Sequence, residues 1–446
     1  MSPQNEQWSS RYGFVLATIG GAVGLGNIWR FSYVAGENGG AAFLFIYLAC
    51  VFLIGVPLMI AELAIGRRAQ GDAISAFETT GKTSRWRGIG WLGIVTAVLL
   101  LSYYAVIAGW ALRYAVGAVT GTLWRAAQAN YGGYFKQFVS QPVDPLIWQG
   151  AILAITIFIV SSGVRQGIER LNRLVVPVLA VLIIVLAGYS LSLPGSGAGV
   201  RFFLAPDWDA LRNPEVYAAA LGQAFFTLSL GMAFFVTYGS YMPRTFSVPA
   251  SAMIVALGDT LFAIISGLAI FPAVFALGGN PAAGPELAFV TLPQVFLKMP
   301  AGVFVGSVFL LLLAAAAITS MVALIEIPVS AMIRRTSLSR RGATIVMGGS
   351  VFVLGIPSAL GYGVLSHVRI GSHGILDAID FGVSSFLLPV AGVLTALYVG
   401  WRLNRTMILN ETDFGTRRIG VVWLWLIRIL VPVAILGIFI RTLWAS

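Results

Sequence analysis

Eleven apolar stretches run through this chain, near residues 11–33, 41–66, 89–121, 146–163, 171–193, 215–241, 248–278, 302–333, 341–360, 375–402 and 419–443. Most match or exceed the roughly 20 residues that a helix needs to cross a bilayer core. Lipid offers no hydrogen bonds, so a chain repeatedly buried in it must satisfy its backbone internally, as helices do. A charged fraction of 10% and a mean hydropathy of +0.88 fit no soluble domain, where about a quarter of residues carry charge. The pattern predicts an all-α polytopic membrane protein built as one transmembrane domain over residues 1–446. Pro285 to Met299 is too short and proline-broken to span, and is expected to form a re-entrant or surface helix. Met1 to Ser10 lacks the basic start and cleavage site of a secretory signal, so the first apolar stretch is expected to remain as a helix.

The formal net charge of +11 is scattered over short connections, which argues against nucleic acid as a partner. Its distribution instead orients the chain. With the N-terminus inside, inner loops collect Arg67, Arg68, Lys82, Arg85 and Arg87, then Arg334, Arg335, Arg340 and Arg341, whereas each outer loop holds one or two basic residues. An odd number of spans then places the C-terminus outside. Cys50 is the single cysteine, so no internal disulfide or cysteine metal cluster exists. His367 and His373 share one loop, and two loop histidines are more often solvated than metal-bound.

Two stretches are broken in the middle. "GGAVGLGNIWRF" (Gly20 to Phe31) places four glycines, an asparagine and an arginine inside the first. "QAFFTLSLGMAFFVTYGSY" (Gln223 to Tyr241) is interrupted at Ser229 to Ala233. Five spans separate the two, and a unit of five helices repeated once must be inverted. This predicts a repeat of spans 1–5 (11–193) and 6–10 (215–402), plus an eleventh span at 419–443. Close helix packing through small residues explains one glycine cluster. Two clusters at matching repeat positions point to a transport site at the midplane. Unwinding frees carbonyls to ligate a hard cation and N–H groups to hold a carboxylate.

"WSSRYGFVLATIGGAVGLGNIWRFSYVAGENGGAAF" resembles the first-helix signature of the neurotransmitter:sodium symporter family. "PLMIAELAIGR", "FFTLSLGMA" and "AAITSMVALIE" resemble its second, sixth and eighth helices. The chain is similar to bacterial amino-acid transporters of eleven helices with the leucine-transporter fold. That resemblance implies two sodium sites. The first would use the Ala22 carbonyl, Asn27, Thr227, Asp259 and the substrate carboxylate. The second would use carbonyls of Gly20, Val23 and Ala316 with the hydroxyls of Thr319 and Ser320. Hydroxyls bonding back to their own helix are the competing reading for that last pair.

The same resemblance implies a zwitterionic substrate. Its carboxylate would meet the N–H groups of Leu25 and Gly26 and the hydroxyl of Tyr104. Its amine would meet carbonyls of Ala22, Phe226 and Thr227, with Ser229 nearby. Leu100, Tyr104, Phe226, Met232, Ser320 and Leu324 would wall the side-chain pocket, and Gly24 would leave room for larger rings. These side chains carry no charge, so charged substrates should be excluded. Asp259 departs from the asparagine usual in the family, and Ala263 from a hydroxyl that helps hold chloride there. An ionised Asp259 would supply the charge that chloride provides elsewhere, so no chloride requirement is expected; a protonated Asp259 bonded to a carbonyl is the alternative. Arg30 and Asp380 would close an outer gate above Phe226 and Tyr104. Glu62 is expected to bond the unwound sixth span. At the inner gate Asn5 replaces the family's basic residue before Trp8, which leaves Glu6 and Arg334 as a possible reversed pair, with Arg334 as an ordinary inner-loop cation the competing reading.

Together these expectations describe a sodium-coupled symporter importing neutral, hydrophobic amino acids by alternating access. The short loops favour a bacterial inner membrane. No paired acid and nucleophile suggests an enzyme, no pore repeat a channel, and no GxxxxGK[ST] an ATPase. A sensor that binds an amino acid without moving it is the surviving alternative.

Overall fold

The computed structural model describes residues 6–126, 130–205, 209–282, 284–415 and 417–445. Nine unbroken helices are long and apolar enough to span among these residues: Ala41–Ala69, Ser84–Val119, Asp144–Ser161, Val164–Leu191, Val248–Ala276, Gly302–Arg335, Arg340–Leu360, Ile375–Arg402 and Arg418–Ile440. A bent pair, Arg11–Ala22 and Gly26–Glu37, makes the first span, its halves inclined at 52°. A second interrupted pair, Pro214–Thr227 and Phe234–Ser240, makes the sixth. Ten of the eleven stretches read from the sequence thus coincide with helices long and apolar enough to span, and the sixth with this interrupted pair; they are numbered as spans 1 to 11 below. Pro285–Met299 does not span; it contains a short helix, Thr291–Leu297, with Leu292 and Phe296 turned inward.

Each break has a local cause. Helix 11–22 ends where Val23 turns extended (φ −71°, ψ 105°), and the chain re-enters helix through a wide π turn at Gly26–Arg30. In span 6 the break holds three left-handed residues, Ser229 (φ 54°), Gly231 (φ 78°) and Ala233 (φ 61°). Such conformations cost about 1–3 kcal/mol for residues with a side chain. At Gly231 the geometry admits no other residue, because a Cβ there would lie 2.4 Å from the Leu388 carbonyl oxygen. Buried Glu62 of span 2 secures the break by accepting the Gly231 N–H at 3.0 Å.

The neighbours of the broken spans exchange as an inverted repeat requires. Span 1 packs on spans 5 and 7, and span 6 on spans 10 and 2; outside that exchange span 1 also packs on span 8 and span 6 on span 11. Spans 3 and 8, which correspond across the repeat, pack extensively along one another. Among the nine unbroken spans they are also the most enclosed, with 78% of their apolar windows buried, against 33% for spans 4 and 5 and 39% for spans 9 and 11. Hydropathy is high in both sets, so the difference is position: spans 3 and 8 form the core, and the outer spans turn residues such as Phe158, Leu174 and Val181 to lipid.

Candidate substrate and ion site

The two breaks face each other and enclose a small cavity. Gly21, Ala22, Gly24 and Gly26 line it from span 1, Phe226, Ser229 and Met232 from span 6, Leu100 and Tyr104 from span 3, and Ser320 and Leu324 from span 8. Its volume is about 20 Å³, room for a single water, so its walls must part to admit anything larger. No charged side chain reaches it. Close approach is built in: a Cβ on Gly24 would lie 2.1 Å from Ser320 Oγ and 2.7 Å from the Tyr104 hydroxyl. The N–H groups freed by the break in span 1 are capped by side chains. Leu25 donates to the Tyr104 hydroxyl at 3.0 Å and Gly24 to Asn27 Oδ1 at 3.1 Å.

Two oxygen clusters flank the cavity. In one, Asp259 of span 7 is fully buried; its carboxylate accepts from Asn27 Nδ2 at 2.8 Å and from the Thr227 hydroxyl at 3.1 and 3.2 Å. Asn27 and the Thr227 hydroxyl between them reach both carboxylate oxygens. In the other, Ser320 Oγ lies 3.5 Å from the Val23 carbonyl, while Thr319 bonds back to the Ala316 carbonyl at 2.9 Å. Gly20 is buried against Asn172 and Val176 of span 5.

On the outer side Arg30 closes over the cavity. Its guanidinium stacks on Phe226 at 4.6 Å, donates to Gln223 Oε1 at 2.7 Å and reaches Asp380 at 3.4 Å. The Tyr103 hydroxyl and Ser384 hold Asp380 from behind at 2.7 and 3.0 Å. Gln223 also donates to the Gly26 carbonyl at 3.0 Å, tying the gate to the break.

The sequence profile of the Sodium:neurotransmitter symporter family matches residues 5–134 and 143–446. The chain belongs to that family. It is a sodium-dependent symporter, and its helices make it an integral membrane protein. The uncharacterized sodium-dependent transporter YhdH of Bacillus subtilis is 40% identical over 98% of this chain and 97% of its own. The sodium-dependent transporter MJ1319 of Methanocaldococcus jannaschii is 33% identical over 98% of this chain and 90% of its own. The crystal structure of MhsT in complex with L-phenylalanine superposes with a TM-score of 0.93 at 49% identity, covering 98% of this chain and 99% of that one.

Against this geometry the sequence-derived residues fall mostly together. Ten of the twelve expected substrate contacts line the symporter's cavity; Leu25 and Thr227 stand just behind it, and Gly21 joins it. Of the outer-gate residues, Arg30, Asp380 and Phe226 come together, while Tyr104 stays in the cavity wall; Gln223 and Tyr103 join them, neither having been assigned to the gate from sequence.

The inner gate needs correction. Trp8 is buried, its indole donating to the Tyr238 carbonyl at 3.0 Å. Glu6, however, pairs with Arg340 at 2.5 Å and not with Arg334, which makes no salt bridge among the described residues. Arg340 opens span 9 and turns back to Glu326 of span 8 at 2.7 Å, and Glu326 also accepts the Tyr241 hydroxyl at 2.7 Å. Glu326 has no exposure, so its charge demands a partner, and it captures the arginine that reaches it. Arg334, in span 8's last turn, is half-buried. The signal was present: a lone acid within the apolar run "VALIEIP" requires a partner. Arg340 and Arg334 are indistinguishable as inner-loop cations in one dimension.

Proposed function

We propose that the symporter couples inward Na⁺ flow to the import of neutral, hydrophobic L-amino acids, and that it does so without chloride. The observation that carries this reading is the uncharged cavity between two broken helices, with a buried carboxylate immediately beside it. A substrate carboxylate would displace the Tyr104 hydroxyl from the Leu25 N–H and join the Asn27, Thr227 and Asp259 cluster around the first Na⁺. Asn27 would then turn its amide oxygen from Gly24 to the ion. The second Na⁺ would bind the Gly20, Val23 and Ala316 carbonyls with Thr319 and Ser320, once Thr319 releases Ala316. Leu100, Tyr104, Phe226, Met232 and Leu324 would enclose an aliphatic or aromatic side chain. MhsT, which carries L-phenylalanine in its crystal structure, supports this substrate class.

Asp259 gives the first ion site a fixed negative charge, and Ala263 offers no hydroxyl to an anion. Human sodium- and chloride-dependent taurine transporter is only 28% identical over 70% of this chain, so its chloride dependence transfers weakly. Alternating access would proceed by opening the Arg30–Asp380 pair and the Glu6–Arg340–Glu326 cluster in turn. The distribution of arginine supports an N-terminus in the cytoplasm and a C-terminus outside, in a bacterial inner membrane.

Uptake into proteoliposomes tests the whole reading. Leucine, phenylalanine and tryptophan should accumulate with an inward Na⁺ gradient in gluconate, and glutamate should not. Accumulation without Na⁺ withdraws the ion sites, and collapse in gluconate withdraws the chloride assignment. Na⁺-dependent binding with no accumulation of any amino acid establishes a sensor in place of a transporter.

A further inference from the structure

Arg428 is an arginine inside span 11, ten residues beyond Arg418 at its start. Charged groups at membrane depth need partners, yet among the described residues no carboxylate pairs with it. The nearby loop acids Glu411 and Asp413 are engaged by Arg67. The local backbone explains how Arg428 is held. Span 10 widens into a π turn at Tyr398–Arg402, and span 11 does the same at Leu426–Leu430. The two turns touch so closely that a Cβ on Gly400 would lie 3.1 Å from the Arg428 Cα. Arg428 Nε donates to the Gly400 carbonyl, and Trp401 Nε1 returns a bond to the Arg428 carbonyl at 3.2 Å. This reciprocal pair fixes the guanidinium through Nε alone. Its two terminal nitrogens meet no acceptor among the described residues.

The surroundings face lipid. Trp401 is 67% exposed with the Arg428 guanidinium 5.7 Å from its ring, and Trp425 and Ile429 are exposed beside it. Span 10 ends at Arg402, two residues past Gly400, so the Arg428 side chain, though ten residues into span 11, reaches the level of span 10's last turn. Tryptophan favours this interfacial depth, and long basic side chains extend toward it. We propose that Arg428 and Trp401 form a binding site for the phosphodiester of one anionic phospholipid, in the leaflet on the side of Trp8. The terminal guanidinium nitrogens would grip phosphate oxygens as a fork, and the acyl chains would follow the outer face of spans 10 and 11. The site is separate from the transport cavity and needs no premise about the substrate.

Native mass spectrometry of the delipidated symporter, titrated with phosphatidylglycerol and with phosphatidylcholine, reads the stoichiometry and head-group preference. One phosphatidylglycerol should bind in preference, and Arg428→Gln should weaken that first binding at least about fivefold. Arg405→Gln, in the adjoining loop, should leave it unchanged. Millimolar inorganic phosphate should not displace the lipid; displacement would make this a free-phosphate site and overturn the lipid assignment. Equal retention of both lipids, or equal loss in both variants, also overturns it. Should Arg428→Gln fail to fold, a photoactivatable phosphatidylglycerol on the unaltered protein decides: adducts within 398–430 support the site, and adducts only elsewhere refute it.

Discussion

At the residue scale the decisive contacts are short and few. Asp259 meets the side chains of Asn27 and Thr227 in a site with no exposure, which makes it the centre of the first oxygen cluster. Asp259→Asn keeps the shape and removes the charge. Hydrogen bonds to charged groups contribute about 1.5–3 kcal/mol, so Na⁺ affinity should fall at least about tenfold. The check is thermal: exchanging K⁺ for saturating Na⁺ should raise the Tm of the unaltered protein, since a ligand at 100 Kd stabilises by about 2.7 kcal/mol, and that gain should shrink in the variant. Gly24 is the steric counterpart. Gly24→Ala drives a methyl into Ser320 and Tyr104, and amino-acid uptake should fall by about two orders of magnitude, the scale of a 1 Å misplacement at a reacting site. Monodisperse elution would show that the fold survives, and uptake near the original rate would refute the tight approach.

At the scale of elements, the break in span 6 stores what an unbroken helix would not need. Ser229 and Ala233 hold left-handed conformations, and Gly231 between them packs against the Leu388 carbonyl while Glu62 caps its N–H. Gly231→Ala combines backbone strain with a backbone collision, and should destabilise the protein by about 2–3 kcal/mol, measured as a lowered Tm. Glu62→Gln keeps an acceptor for the same N–H and should cost less. A reversed order would mean that the cap, and not the close approach to span 10, sets the geometry of the break.

Across the whole molecule both ends of the pathway are shut. Arg30 bridges to Asp380 on one side of the cavity, and Arg340 joins the N-terminal segment to span 8 on the side of Trp8. The inner cluster is unequal in depth: Glu326 is wholly buried, whereas the Glu6 side chain is 35% exposed. Removing the partner of a buried charge costs about 3–5 kcal/mol, and a part-exposed pair is worth about 1 kcal/mol or less. Arg340→Gln should therefore open the inner side far more than Glu6→Gln. Hydrogen exchange of residues 6–12 and 234–241 reports this, and equal protection in the two variants would place the latch elsewhere.

The sequence alone determined the eleven spans, the two interruptions and most of the cavity wall, because hydropathy over twenty residues and glycine within an apolar run are local signals. "GGAVGLGNIWRF" located its break to within a residue or two, and "PLMIAELAIGR" carried the Glu62 cap. Partner choice was different. Glu6 could have met Arg334 or Arg340 as far as composition goes, and only the return of span 9 beneath span 8 brought Arg340 to Glu326. Gln223 beneath Arg30, and Arg428 against Gly400, were equally hidden. Each depends on which helix faces which, and burial then selects the charge that reaches deepest. Spacing along the chain fixes neither.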